Sequence, residues 1–257
     1  MDLERVIDLC KGDFGMESLK SVASYAAPLF WVTVGDNGEY KINNGSIFFV
    51  DASEGLFAIT ANHVFEKYIE VKGSSSNIYC RIARNCFDPI ARETIPFEPE
   101  TCLIDKDPEA DIATFRISEA DVETVGATVL TTWPPMVPPE GLGVAFTGYP
   151  GHERQSVGPH EISFTPFSVI TMATSVSHRL ISCQLEREYV VDTPGFPKRP
   201  SSFDTGGLSG GPLLVNVEKN GIFYWRLGGV ITQGNPDLEI VRASRVDHLR
   251  PDGTFAR

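Results

Sequence analysis

Three stretches of the chain carry side chains able to do nucleophilic chemistry. The first, Phe57-Ala58-Ile59-Thr60-Ala61-Asn62-His63-Val64-Phe65, runs a strand pattern into a turn bearing a histidine. The second, Asp111-Ile112-Ala113, opens a strand with an acid after the acidic loop 98–109. The third, Gly206-Gly207-Leu208-Ser209-Gly210-Gly211-Pro212, wraps glycines around a serine and leads into another strand. A serine hydroxyl is a poor nucleophile until a base accepts its proton, and an imidazole, titrating near neutrality, suits that role. A buried carboxylate can fix the tautomer and stabilise the imidazolium. Glycines beside the serine let backbone N–H groups converge on a developing oxyanion.

The elements that must position these residues read mainly as strands. From about residue 28 onward, β-branched and aromatic runs alternate with turn residues, at 29–34, 45–50, 56–60 and 111–117. They resume at 143–147, 167–174, 180–185, 212–217, 222–227 and 228–232. Asp36-Asn37-Gly38 is a hairpin-type turn. Helical patterns are few. Leu3, Val6, Ile7 and Cys10 share one face, with Asp2 as N-cap and Gly12 as stop, and 119–125 allows about two turns. The run Trp133-Pro134-Pro135-Met136-Val137-Pro138-Pro139 fits neither helix nor central strand and is expected to be a stiff connector. The expected organisation is an N-terminal helical extension over 1–27, a β unit over 28–132, the connector 133–139 and a second β unit over 140–257.

Composition bounds the function. The 257 residues carry 22 Lys+Arg against 34 Asp+Glu, a net charge of −12, and 42% are apolar. That supports a real core and argues against nucleic acid or an anionic membrane as partner, since each needs a basic face. The charge also leads to the expectation that basic or neutral protein segments approach more readily than acidic ones. The first ten residues lack the basic and apolar regions of an export signal. The five cysteines, Cys10, Cys80, Cys86, Cys102 and Cys183, are odd in number and form no dense framework, so the expected compartment is the cytoplasm. Cys80, Cys86 and Cys102 match no common zinc spacing. His152, His160, His178 and His248 show no paired ligand spacing, so no metal and no cofactor is expected.

Taken in order, Thr60-Ala61-Asn62-His63-Val64, Asp111-Ile112-Ala113 and Gly207-Leu208-Ser209-Gly210-Gly211-Pro212 resemble the three signatures of trypsin-like (chymotrypsin-fold) serine proteases. Gly148-Tyr149-Pro150-Gly151 followed by Ser156-Val157-Gly158 is similar to the first hairpin of the second barrel in HtrA-type bacterial proteases. Gly229-Val230-Ile231-Thr232-Gln233-Gly234 resembles the strand that lines the primary specificity pocket. The resemblance spans roughly residues 28–250 and reaches no peptide-binding domain after the protease. It implies an all-β fold of two antiparallel six-stranded barrels with the site between them. It makes Ser209 the nucleophile, His63 the base and then the acid, and Asp111 the orienting carboxylate. It gives the oxyanion hole to the N–H groups of Gly207 and Ser209, and has Thr232, Gln233 and Gly234 bind a protein or peptide substrate as an added strand.

Two departures carry consequences. Leu208 stands where digestive relatives have the aspartate that pairs with a cleaved N-terminus, so that activation route is not expected; loop order or a regulatory protein partner would set any latency. Six residues before Ser209 is Phe203, which would favour small apolar residues in the pocket, whereas the adjacent Asp204 would favour basic ones. Gly207-Leu208-Ser209-Gly210-Gly211 also satisfies G-x-S-x-G, but Gly-Gly-Pro starts a poor helix, and that reading is rejected. The alternative retained is a catalytically silent protease-fold module that binds peptide.

Overall fold

β-branched and aromatic runs form strands only where a neighbouring strand takes up their backbone N–H and C=O groups, and in this chain they assemble into two sheets. The structure is a computed structural model, and it describes residues 3–35, 39–75, 77–85, 93–158, 161–185, 191–193, 206–235 and 237–256. Two helices, α1 (Leu3–Lys11) and α2 (Asp13–Ala23), precede the first strand. The sequence anticipated α1; α2 was missed, because Gly12 breaks the pattern between them. The first sheet holds β1 (Ala27–Val34), β2 (Tyr40–Asp51), β3 (Leu56–Ala61), β4 (Ile78–Ala83), β5 (Thr94–Pro96), β6 (Leu103–Asp107) and β7 (Ile112–Arg116), in the order β5-β4-β1-β2-β3-β7-β6. Three helices lie among and after these strands: α3 (Asn62–Ser74), α4 (Pro99–Cys102) and α5 (Glu119–Val125).

After the segment 133–139, which forms neither helix nor strand, come β8 (Gly143–Gly148), β9 (Gln155–Gly158), β10 (Glu161–Ser163), β11 (Phe167–Met172), β12 (Ser175–Val176), β13 (Leu180–Gln184), β14 (Pro212–Lys219), β15 (Ile222–Asn235) and β16 (Ile240–Arg245). The second sheet runs β11-β8-β14-β15-β16-β13-β12, and β9 and β10 form a separate ribbon. All strand pairs of the two large sheets are antiparallel. This is the expected all-β architecture of antiparallel sheets with short helices. The strand count is corrected: among the described residues each large sheet has seven strands rather than six. The short edge strands β5 and β12, of three and two residues, are too brief to leave a periodicity in sequence.

Both sheets curl. In the first, Phe97 beyond β5 and Phe115 on β7 meet edge to face with ring centroids 5.6 Å apart. In the second, the Thr174 N–H beyond β11 donates to the Ser182 carbonyl on β13 at 2.8 Å. Strands β2 and β3 lie between two cores, and alternation decides which residue goes where. Ile47, Phe49 and Ala58 face the core of the first sheet. Phe48, Val50, Phe57 and Ile59 face a shared core with Ala145, Leu214, Leu227 and Val230 of the second. Burial on both faces explains why 47–50 reads as a continuous apolar run. The shared core fixes one sheet against the other and so sets the spacing of residues that come from different halves.

The runs 222–227 and 228–232 prove to be one strand, β15. Gly228 is an extra residue where pairing with β14 steps from Leu213↔Gly229 to Leu214↔Leu227, which is why the sequence read as two runs. The anticipated turn Asp36-Asn37-Gly38 lies outside the described residues, although β1 and β2 pair antiparallel on either side of it.

Candidate active site

His63 sits in the first turn of α3, which begins where β3 ends. The sequence placed the histidine in a turn and missed the helix, although Val64, Phe65 and Tyr68 are buried at helical spacing beneath it. Asp111 precedes β7, the strand paired with β3, with Thr60 opposite Ala113. The Asp111 backbone is left-handed (φ 58°), a conformation Asp tolerates better than most residues. The Asn62 N–H donates to the Asp111 carbonyl at 2.9 Å. The His63 N–H donates to Asp111 Oδ1 at 2.7 Å, and His63 Nδ1 lies 2.6 Å from Asp111 Oδ2. Side-chain exposure is 48% for His63 and 26% for Asp111, so the imidazole stays open to a ligand while the acid is the more sheltered partner.

The serine loop is held by its neighbours at almost every residue. Ser46 on β2 donates its hydroxyl to the Gly207 carbonyl at 2.7 Å and accepts the Tyr149 N–H at 2.8 Å. The Ser46 N–H donates to the Ser209 carbonyl at 2.8 Å. Gly210 N–H donates to the Ile231 carbonyl at 2.8 Å, and Gly151 N–H to the Gly206 carbonyl at 2.7 Å. Asn44 Nδ2 donates to the Tyr149 carbonyl at 2.7 Å. Gly207 and Gly210 both have positive φ, 94° and 89°. A Cβ on Gly207 would lie 2.5 Å from the Tyr149 carbonyl oxygen, and one on Gly210 would run into the Ser46 carbonyl and the Thr60 hydroxyl. Glycine is required twice over at each position, by conformation and by space.

His63, Gly207 and Ser209 line one cleft of about 340 Å³. Its other walls are Ile42, Asn43 and Asn44 from β2, Val64 and Lys67 from α3, Trp31 from β1, and Gly151, Arg154 and Gly206. Among the described residues the N–H groups of Gly207 and Ser209 donate to no protein acceptor, and the Ser209 hydroxyl makes no hydrogen bond, to His63 or any other group. Leu208 is fully buried in the core of the second sheet. Arg154 donates to Asn44 Oδ1 at 2.8 Å, and burial pushes its guanidinium below the usual value without neutralising it.

Thr232, Gln233 and Gly234 lie on β15, joined to the serine loop through Ile231, and they do not line this cleft. Thr232 is buried, with its hydroxyl 3.1 Å from that of Ser244, while 233–235 are exposed and pair with 240–242 of β16 on one side. On the other side, pairing with β14 ends at Pro212↔Val230. Phe203 and Asp204 lie outside the described residues. So do Cys86, whose thiol entered the zinc question, and His160. No cluster of three or more His, Cys, Asp or Glu able to hold a metal occurs among the described residues. No described helix is long and apolar enough to cross a membrane. Sequence reasoning missed Asn44, Ser46, Lys67 and Arg154, because nothing in their local sequence marks them; only pairing across the cleft does.

No family model matches the chain, and no curated protein matches it in sequence. Among solved structures it is similar to the Rv3671c protease from M. tuberculosis in its active form, at 16% identity over 91% of this chain and 82% of that one, with a TM-score of 0.43. It is also similar to Deg5, at 14% identity over 99% of both chains, with a TM-score of 0.49.

Proposed function

We propose that this chain is a serine endopeptidase of the trypsin-like kind, acting on a protein or peptide substrate in the cytoplasm. The observation that carries the reading is the His63–Asp111 pair opening onto the same cleft as Ser209, beside two N–H groups with no acceptor among the described residues. In the reaction, Ser209 Oγ attacks the scissile carbonyl carbon as its proton passes to His63 Nε2, and Asp111 holds the imidazolium through Nδ1–H. The N–H groups of Gly207 and Ser209 receive the oxyanion. The C–N bond then breaks, and the leaving amine takes the proton from His63. Water, deprotonated by His63, splits the acyl-enzyme and returns Ser209 to its hydroxyl form. The acyl side of the substrate pairs with 232–234, whose edge is taken by no described strand. Buried Leu208 supports a chain made active whole rather than by pairing with a cleaved N-terminus. The four described cysteines are free thiols, which supports a reducing compartment.

One observation favours a second reading. The unbonded Ser209 hydroxyl fits a catalytically silent module that binds peptide, although catalytic hydrogen bonds are often formed only once substrate is bound. A fluorophosphonate probe separates the two. Labelling of the wild type that vanishes in Ser209→Ala and falls sharply in His63→Ala supports the protease. Folded wild-type protein that neither labels nor cleaves any peptide of a complex library supports the silent module.

A further inference from the structure

The cleft is rich in donors and cations and poor in negative charge. Among the described residues no Asp or Glu lines it, and Asp111 reaches it only through His63, in a chain whose net charge is −12. Arg154 has only the neutral Asn44 Oδ1 as a described partner, and one such bond leaves most of a guanidinium's five donors unused. Neighbouring Glu153 faces His152 at 3.4 Å rather than Arg154. Lys67 adds a second cation, shared with exposed Glu70 at 2.8 Å. Two further lining residues carry buried donors without an acceptor among the described residues, Trp31 Nε1 and Asn43 Nδ2. Buried donors and a guanidinium with no anionic partner among the described residues together call for a ligand that brings acceptors and negative charge.

Position decides which part of a substrate that is. β15, joined to the serine loop by the Gly210–Ile231 bond, lies on one side of Ser209 and takes the acyl portion in the proposed reaction. The pocket is built from other elements, β2, α3 and the turn at 151–154, and 232–234 do not line it. A chain whose acyl side pairs with β15 has its leaving-group side left for the pocket.

We infer that this pocket selects an acidic side chain on the leaving-group side of the scissile bond, within the first two residues after it, and that Arg154 reads its carboxylate. The inference rests on the serine protease reading and deepens it. Asn44 sets the guanidinium's direction and leaves its charge uncancelled, so a carboxylate can take two parallel bonds from it. The whole-chain charge predicts the opposite preference, but exposed charges farther than about 8 Å are largely screened at physiological salt, and the local cations prevail.

The test digests a proteome-derived peptide library with the full chain and maps cleavage sites by mass spectrometry. Matched peptides with Glu or Gln after the cleaved bond then give a kcat/KM ratio for each variant. The wild type is expected to favour Glu by about tenfold, a ratio that falls to about one in Arg154→Gln, is only partly kept in Arg154→Lys and drops below one in Arg154→Glu. Because each readout is a ratio within one variant, a general loss of activity does not imitate it. Should Arg154→Gln fold poorly, exposed Lys67→Gln is expected to lower the ratio by about twofold to threefold. Cleavage with no acidic enrichment, or enrichment unchanged by these substitutions, overturns the assignment and leaves the protease reading standing. A wild type that neither cleaves nor labels removes both.

Discussion

Asp111 holds His63 by two bonds from one carboxylate, Oδ1 to the backbone N–H at 2.7 Å and Oδ2 to the ring Nδ1 at 2.6 Å. The first bond orients the start of α3 and the second orients the ring, so one side chain governs both where the imidazole sits and which way it faces. Asp111→Asn keeps the shape and the tolerance for a left-handed backbone, but presents either a donor or a neutral acceptor to Nδ1. The expected result is a fall in kcat on the order of 10⁴-fold, with little change in the unfolding midpoint. Turnover and fluorophosphonate labelling rates measure it; a loss under about tenfold would remove Asp111 from catalysis.

Gly210 tests the serine loop's packing. Its φ of 89° and its approach to the Ser46 carbonyl and Thr60 hydroxyl leave no room for a methyl group. Gly210→Ala is expected to destabilise by about 3 kcal/mol or more, read from denaturant midpoints. Gly207→Ala is the functional counterpart, because moving that residue moves an oxyanion donor. Its kcat/KM should drop by about 10²- to 10³-fold even where the protein stays folded.

Ser46 belongs to the first sheet, yet its hydroxyl bonds twice across the interface, to Tyr149 N–H and the Gly207 carbonyl. Ser46→Ala leaves the buried Tyr149 N–H and the partly buried Gly207 carbonyl unpaired, at an expected stability cost of about 2 kcal/mol. Because Gly207 is one of the freed groups, labelling of Ser209 should slow as well. Equilibrium unfolding and labelling kinetics on the same preparation check this, and an unaltered midpoint would mean that the hydroxyl bears no load.

The thiols report on the cores. Burial pushes both Cys80 and Cys183 from the ordinary 9.0 up to about 12. Iodoacetamide at pH 8 should therefore modify Cys10 and Cys102, which are only partly buried, well before Cys80 and Cys183. The sign of the pH effect follows from the raised values. The fold favours the protonated thiol, so this stabilisation is complete below pH 9 and is lost as pH rises toward 12. The unfolding midpoint should decline over that window, less steeply in Cys183→Ala than in the wild type. Equal alkylation of Cys10, Cys80, Cys102 and Cys183 in folded protein would contradict the burial.

Much of the fold was legible because its signals are local. Strands β1, β3, β7, β8, β13 and β14 were read within a few residues of their observed limits, since alternating or continuous apolar runs bounded by turns need only neighbours in sequence to be seen. Helix α3 was not read, because its apolar positions merge with the strand before it and its N-cap residue is Ala61, which supplies no capping side chain. The three reactive residue types were legible for a related reason: a histidine after a strand, an acid before one and a serine among glycines are each short-range patterns.

The sequence by itself determined the two β-rich halves, the glycines without which the serine loop cannot turn, and the side chains that could do chemistry at 63, 111 and 209. Tertiary structure decided what those side chains face. The pairing of β3 with β7 brings Asp111 to His63, and the shared core of Phe48, Val50, Leu214 and Val230 sets the second sheet so that Ser209 opens on the same cleft. It also put Asn44, Lys67 and Arg154 around one pocket, across separations of up to 110 residues. The reason is physical. Local propensity acts over a few residues, whereas the charge and donor content of a cleft are sums over surfaces that only packing brings together.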